Sequence, residues 1–233
     1  MGLFRPIMRI IAGRAGGIHL KVPAMVARPT ADRVREALFS MLGELVQGAK
    51  VLDLFAGSGA LGLECLSRGA KEALFVEQHG SAATLIQENL TKTKLSGGKV
   101  TKADAFAALR RLADDGAQFD LVFADPPYTK KPGDTDFAGL LLANESLPKV
   151  LAPGGWLVLE TMVTKRDSGV IPNWEVVRDR SYGSTRILLL QLPTISDAEN
   201  PGAAVLQSDL ADNAPGDAAG GDQKDASPGR PLA

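Results

Sequence analysis

Short apolar runs alternate with longer periodic stretches from residue 50 to residue 192. KVLDLF at 50–55, EALFVE at 72–77, KVTKA at 99–103 and LVFA at 121–124 are too short for helices. Three of them carry apolar residues at successive positions, the pattern of strands buried on both faces of a parallel sheet, and KVTKA is read as a further strand. Between them, the stretch opening at Gly59, residues 81–95, residues 105–112 and a segment around Leu140 to Val150 read as helices. GGWLVLE, starting at the Gly154–Gly155 turn, predicts another strand, and WEVVRDRSYGSTRILLLQL predicts a terminal pair turning about Tyr182 and Gly183. Upstream, MRIIAG and IHLKV alternate around Gly13, Gly16 and Gly17 and predict a small hairpin. In ARPTADRVREALFSMLGELV, Thr30 can cap a helix with Asp32 in its first turn and an apolar stripe of Val34, Leu38, Met41, Leu42 and Leu45. Arg28, Arg33 and Arg35 lie off that stripe.

Strands alternating with helices predict an α/β, doubly wound sheet. Three regions follow: a basic hairpin and helix at 1–48, the α/β domain at 49–193, and a tail at 194–233. In the tail Ala, Gly, Asp, Pro and Ser dominate and aromatics vanish, so it lacks the apolar surface to order itself. Translation from Met1 or from Met8 fits this pattern equally.

Charge changes the picture in one place. The net charge of −1 conceals seven acids and two bases in 197–233, against 24 bases and 20 acids in 1–196. Residues 1–50 hold eight bases and three acids, the footprint of a surface that meets phosphates. The same arginines also fit a solvated face on which Arg33 or Arg35 pairs with Asp32 or Glu36. Cys65 is the only cysteine, which excludes an internal disulfide, and within LECL it reads as a buried packing residue. His19 and His79 are too far apart to suggest a metal cluster, and both read as surface residues. With no secretory or membrane-spanning run, the expectation is a cytoplasmic protein with no membrane and no metal partner.

Two motifs carry chemistry. The run ending at Phe55 leads into AGSGALGLE, where Gly57, Gly59 and Gly62 match G-x-G-x-x-G. Glycine there lets the backbone pass close to a ligand while a helix N-terminus offers free N–H groups. Asp53 lies four residues before Gly57. Glu77 ends the next strand twenty residues after Gly57, where a carboxylate can accept ribose hydroxyls. A dinucleotide dehydrogenase would share these features. Asp104 follows the third strand, as a ligand contact or as a helix cap.

The second motif closes FDLVFADPPY. Proline keeps the preceding residue extended, so Asp125 and Pro126 are held past the strand end as a rigid pair of acceptors. An exocyclic nucleobase amine is nearly non-basic because its lone pair is delocalised. If the Asp125 carboxylate and the Pro126 carbonyl each accept one N–H, the nitrogen moves towards tetrahedral geometry and its lone pair faces an electrophile. Tyr128 can stack on the base. The alternative is a proline-rich turn whose Asp caps the next helix. In a 3-2-1-4-5 order strands 1 and 4 are neighbours, so the glycine turn and DPPY meet across one crevice.

MRIIAG, RPTADRVREALFSML, VLDLFAGSGALGLE, VEQ and FADPPY together resemble the bacterial 16S rRNA (guanine-N2) methyltransferase family of the DPPY amino-methyltransferases, over roughly residues 8–192. The resemblance implies a seven-stranded Rossmann-like sheet in the order 3-2-1-4-5-7-6 with a small N-terminal hairpin-plus-helix module, and S-adenosyl-L-methionine as cofactor. It implies that Asp53 and the turn of Phe55, Ala56, Gly57, Ser58, Gly59 and Gly62 hold the methionine end. Glu77 beside Gln78 would hold the ribose, and Asp104 with Ala105 the adenine edge. Asp125, Pro126, Pro127 and Tyr128 would hold an unpaired or flipped target base and align it for a single in-line displacement. The RNA would meet Arg9, Arg14, Arg28, Arg33, Arg35, Lys130 and Lys131. The implied partner is 16S ribosomal RNA or a small-subunit assembly particle, met by a monomer. The rivals are an amino-methyltransferase of adenine or cytosine in DNA or another RNA, a dehydrogenase, and a non-catalytic RNA-binding or assembly protein.

Overall fold

The computed structural model describes residues 8–23, 32–128, 133–163 and 171–193. Thr30, Arg28, Lys130, Lys131 and the predicted tail lie outside the described residues.

Among the described residues nine strands form in chain order. β1 (Met8–Arg9) and β2 (His19–Leu20) make the hairpin. β3 (Lys50–Asp53), β4 (Glu72–Glu77), β5 (Gly98–Lys102), β6 (Phe119–Ala124), β7 (Leu151–Met162), β8 (Glu175–Tyr182) and β9 (Thr185–Gln191) form one sheet in the order β5-β4-β3-β6-β7-β9-β8. Counting without the hairpin, this is 3-2-1-4-5-7-6. β3 to β7 run parallel, and the terminal pair is antiparallel.

Continuous apolar runs serve both faces of the sheet. Val51, Phe75, Leu121 and Phe123 face one core, while Leu52, Val76, Val122 and Ala124 face the other. Successive strand residues point to opposite sides, so a strand covered twice has no polar position to spare. The first layer holds α1 (Asp32–Leu42), α2 (Ala60–Ser67) and α3 (Gly80–Thr93) with the hairpin; the second holds α4 (Ala105–Asp114), α5 (Phe137–Leu142) and α6 (Leu147–Val150).

The hairpin docks on α2 through polar groups. Ile11 and Ala12 donate their amides to the fully buried Glu64 at 2.7 and 3.0 Å, and Arg68 completes that carboxylate at 2.7 Å. Ala15 donates to Ser67 Oγ at 2.9 Å. Gly13 lies at φ +81°, and a Cβ there would meet the Ser67 carbonyl oxygen at 2.0 Å, so only glycine fits this approach.

Two helices depart from expectation. The buried face of α1 is Arg35, Leu38, Phe39 and Leu42, while Leu45 is 41% exposed. Gly43 at φ +50° ends the regular helix in a 3-10 turn, which turns Val46 inward in place of Leu45. Arg35 enters the core because Arg9 and Asp32 receive its Nη2, each at 2.7 Å. The single helix expected around 140–150 is two, α5 and α6. Asn144 Oδ1 accepts from the Ser146 and Leu147 amides, a local turn that outcompetes helix continuation.

Candidate functional site

A cavity of about 510 Å³ opens along the carboxyl edge of the parallel strands. The β3 backbone continues beyond Asp53: Leu54 donates to Phe123 O at 3.0 Å and Ala56 to Val76 O at 3.1 Å, tying the start of the glycine turn to both neighbours. Gly57 and Gly59 adopt φ +53° and +77°, so the chain reverses into α2 without side-chain strain. Gly62 has another task. A Cβ there would sit 2.3 Å from the Phe75 ring, so its absence lets α2 lie against β4.

The strand-end acids are held by amides. Glu77 accepts from Gly57 N at 2.9 Å and from His79 N at 2.8 Å, one bond on each oxygen, which fixes the carboxylate against the turn. The His79 ring, largely exposed, approaches Glu77 at 3.0 Å. Asp53 accepts from Gly62 N at 3.1 Å. Asp104 accepts from Phe106 N and Ala107 N through one oxygen, at 3.0 Å each; it caps α4 and also lines the cavity.

Electrostatically the cavity is prepared for a cation. Burial raises Asp53 to about 7 against the Gly62 hydrogen bond, with the charge of Glu77 adding to the rise. Asp125 is pushed well above the carboxylate range by withdrawal from bulk water, then by the charges of Glu160 and Asp53. Acids crowded this closely resist ionising together, and a cation among them would relieve all of them.

At the other side Pro126 is buried and Tyr128 half-buried. The Tyr128 hydroxyl donates to Glu160 at 2.6 Å, and burial, the Asp125 charge and this bond drive the phenol far above its usual range. Glu160 is a site residue that the sequence motifs do not include. The signal was present: WLVLE ends in an acid as VLD, LFVE and VFAD do. Met8, Leu61, Phe137, Met162 and Ser184 also line the cavity, though none of them stands out by its residue type.

Of the residues assigned from sequence, Asp53, Phe55, Ala56, Gly57, Ser58, Glu77, Gln78, Asp104, Ala105 and Asp125 to Tyr128 line this one cavity. Gly59 and Gly62 shape it from behind. Phe55 and Phe137 stand 6.4 Å apart, each beside Phe106, giving the Asp104 end an aromatic flank. The basic residues scatter. Arg9 pairs with Asp32 at 3.2 Å, Arg14 donates to the Leu66 carbonyl at 3.2 Å, and Arg33 is exposed. Arg35 departs from the sequence reading as an outward residue: it is fully buried, lines the cavity, and its Nε and Nη1 find no hydrogen-bond partner. Cys65 is fully buried and its thiol is pushed up by burial, then by Asp53 and Glu64. Among the described residues no group of His, Cys, Asp and Glu could hold a metal ion, and no helix is long and apolar enough to cross a membrane.

Comparison with known proteins agrees with this geometry. The family model described as conserved hypothetical protein 95 matches residues 8–191. The chain is 36% identical to ribosomal RNA small subunit methyltransferase D of Escherichia coli, over 79% of this chain and 89% of that one. It is 34% identical to a putative rRNA methyltransferase of Bacillus subtilis, over 78% and 97% respectively. Among solved structures, a putative methyltransferase from Escherichia coli superposes with a TM-score of 0.66 at 35% identity, covering 79% of this chain and 97% of that one. With a family match over nearly all the described residues and this identity along almost the whole relative, the chain belongs to the ribosomal RNA small subunit methyltransferase D family.

Proposed function

We propose that this chain transfers the methyl group of S-adenosyl-L-methionine to the exocyclic N2 amine of a guanine in 16S ribosomal RNA. The observation that carries the reading is that the β3 turn and the β6 end, neighbours in the sheet, bring Asp53, Glu77, Asp125 and Pro126 to one cavity. The cofactor supplies an electrophilic methyl on a cationic sulfur. Asp53 and the glycine turn receive its amino-acid end, the Glu77 carboxylate its ribose hydroxyls, and Asp104, Ala105 and the aromatic flank its adenine. A cation suits this cavity, because its acids are uncomfortable when ionised without one.

On the substrate side, the Asp125 carboxylate and the Pro126 carbonyl accept the two N–H groups of the amine and aim its lone pair at the methyl. Asp125 must be ionised to do so. The enzyme therefore acts chiefly by alignment, with Tyr128 against the base, and needs neither a nucleophilic thiol nor a metal. In this reading residues 1–48 present Arg9, Arg14, Arg28 and Arg33 to RNA phosphates, with Lys130 and Lys131 beyond DPPY. The enzyme works as a cytoplasmic monomer on 16S RNA or a small-subunit assembly particle, and the acidic segment 194–233 takes no part in the chemistry.

The test is single-turnover transfer of labelled methyl to 16S ribosomal RNA, followed by nucleoside analysis. The parent should yield N2-methylguanosine. Asp125→Ala should slow transfer by about 10²–10⁴-fold while binding the cofactor normally. Methyladenosine or methylcytidine as product would move the reading to another base, and near-normal transfer by Asp125→Ala would remove the mechanism.

A further inference from the structure

β7 lies beside β6 in parallel register, with Ala124 opposite Leu159. The next residue on each strand is therefore Asp125 and Glu160, side by side on the sheet face opposite Ala124 and Leu159. From β9, Thr185 falls on the same face: Glu160 pairs with Ile187, and Thr185 is two residues along. Glu160 accepts the Tyr128 hydroxyl at 2.6 Å, and Thr185 shares that hydroxyl. Two strands that carry neither DPPY nor the glycine turn thus grip the far end of the tyrosine ring. Glu160 is 6% exposed, too buried for an incidental surface carboxylate.

We propose that Glu160 is a positioning residue for methyl transfer: its carboxylate tethers Tyr128, so that the ring borders the reacting base in one fixed plane. The idea rests on the function proposed above for DPPY. A ring attached only through Cβ would swing about two torsions, and a hydroxyl fixed at its tip removes that freedom before the base arrives. The tether has an electrostatic companion. Among the described residues, charged groups facing this region include Asp125 after β6, Asp53 from β3, Glu160 from β7 and Arg35 from α1. A negative Glu160 beside Asp125 adds to burial in opposing its ionisation, so the residue that orders the ring also shifts the pH at which the acceptor is ready.

Two measurements test this independently. The chain has two tyrosines, so in a Tyr182→Phe background Tyr128 is the only phenol. Its ultraviolet titration should show ionisation displaced far above that of a free phenol in that background, and Glu160→Gln should bring it down towards the ordinary phenol range, because the charge that opposes phenolate is gone. An unchanged midpoint would overturn the tether in solution, whatever the chain methylates.

The second measurement is transfer to 16S ribosomal RNA by Tyr128→Phe, Glu160→Ala and the double variant. Each single change should lower the single-turnover rate by about 10-fold to 100-fold with cofactor affinity unchanged, and the double should be no slower than the slower single. Glu160→Gln retains an acceptor oxygen, so it should recover most of the rate while the acid limb of the pH profile moves to lower pH. Additive losses, or a normal rate in Tyr128→Phe, would defeat the proposal. If the parent makes no N2-methylguanosine, the function proposed above fails, and the phenol titration still decides the tether.

Discussion

Asp53 presses on Asp125: the two carboxyls stand at the ends of neighbouring parallel strands, and the charge of Asp53 adds to burial and to the charge of Glu160 in pushing the Asp125 carboxyl well above the carboxylate range. Adjacency at the switch point of the sheet, which brings the glycine turn and the DPPY end to one cavity, also makes one carboxylate answer to the other.

Cofactor binding should therefore take up the charge difference. Asp53 has its folded pKa raised to about 7, so below that pH it is protonated and must lose the proton to face a cation. Affinity for S-adenosylmethionine should rise by up to about tenfold per pH unit below 7 and level off above it. Calorimetry in two buffers of different ionisation enthalpy measures the proton released. S-adenosylhomocysteine keeps the amino-acid ammonium that Asp53 faces, so it should release a similar number of protons; no proton release by either below pH 7 would break the argument.

The same carboxyl predicts a stability change of known sign. A folded pKa above the ordinary 3.8 means that stability is fully present below about pH 4 and is lost as pH rises to 7. The loss is at most about 4 kcal/mol. Asp53→Asn keeps an acceptor for the Gly62 amide and removes the charge, so it should raise the urea midpoint at pH 8 and leave it unchanged at pH 4. The reverse order would mean the carboxylate is favourably held.

Gly62→Ala should cost about 1–3 kcal/mol, since its methyl would sit 2.3 Å from the fully buried Phe75 ring in a packed layer. Chemical denaturation measures the loss. A Phe75→Leu partner change should recover part of it by opening the space, and no recovery would place the strain elsewhere.

The arginines of the first fifty residues should divide by burial. Arg33 is exposed, so Arg33→Gln should flatten the salt dependence of RNA binding by about one unit of slope. Arg35→Gln should leave that slope intact and lower thermal stability, because the Arg9 carbonyl and Asp32 lose their shared donor. A slope change with Arg35→Gln would mean that it reaches phosphate in the complex.

What the sequence determined was set by local rules. Apolar runs of four to six residues between periodic stretches read as strands covered on both faces, as β3 and β6 largely are, and with the more polar edge strand β5 they make up the alternation seen in the sheet order. The acids Asp53, Glu77, Asp104 and Asp125 were legible because each closes such a run, and a strand end is a position that neighbours along the chain define. Proline at 126 and glycines at 57 and 59 announced their backbone geometry by themselves.

The tertiary structure decided what depends on partners distant in sequence. Arg35 looks solvated on its own helix and is buried because the Arg9 carbonyl, 26 residues away, receives it. Glu64 sits mid-helix in an apolar face, and besides its helix neighbour Arg68 it is held by two amides that the hairpin brings from more than fifty residues away. Glu160 acquires a role when Tyr128, 32 residues earlier, folds its hydroxyl back onto β7. Burying a charged or polar group is costly unless a partner meets it, and that partner is set by chain topology, which periodicity does not encode.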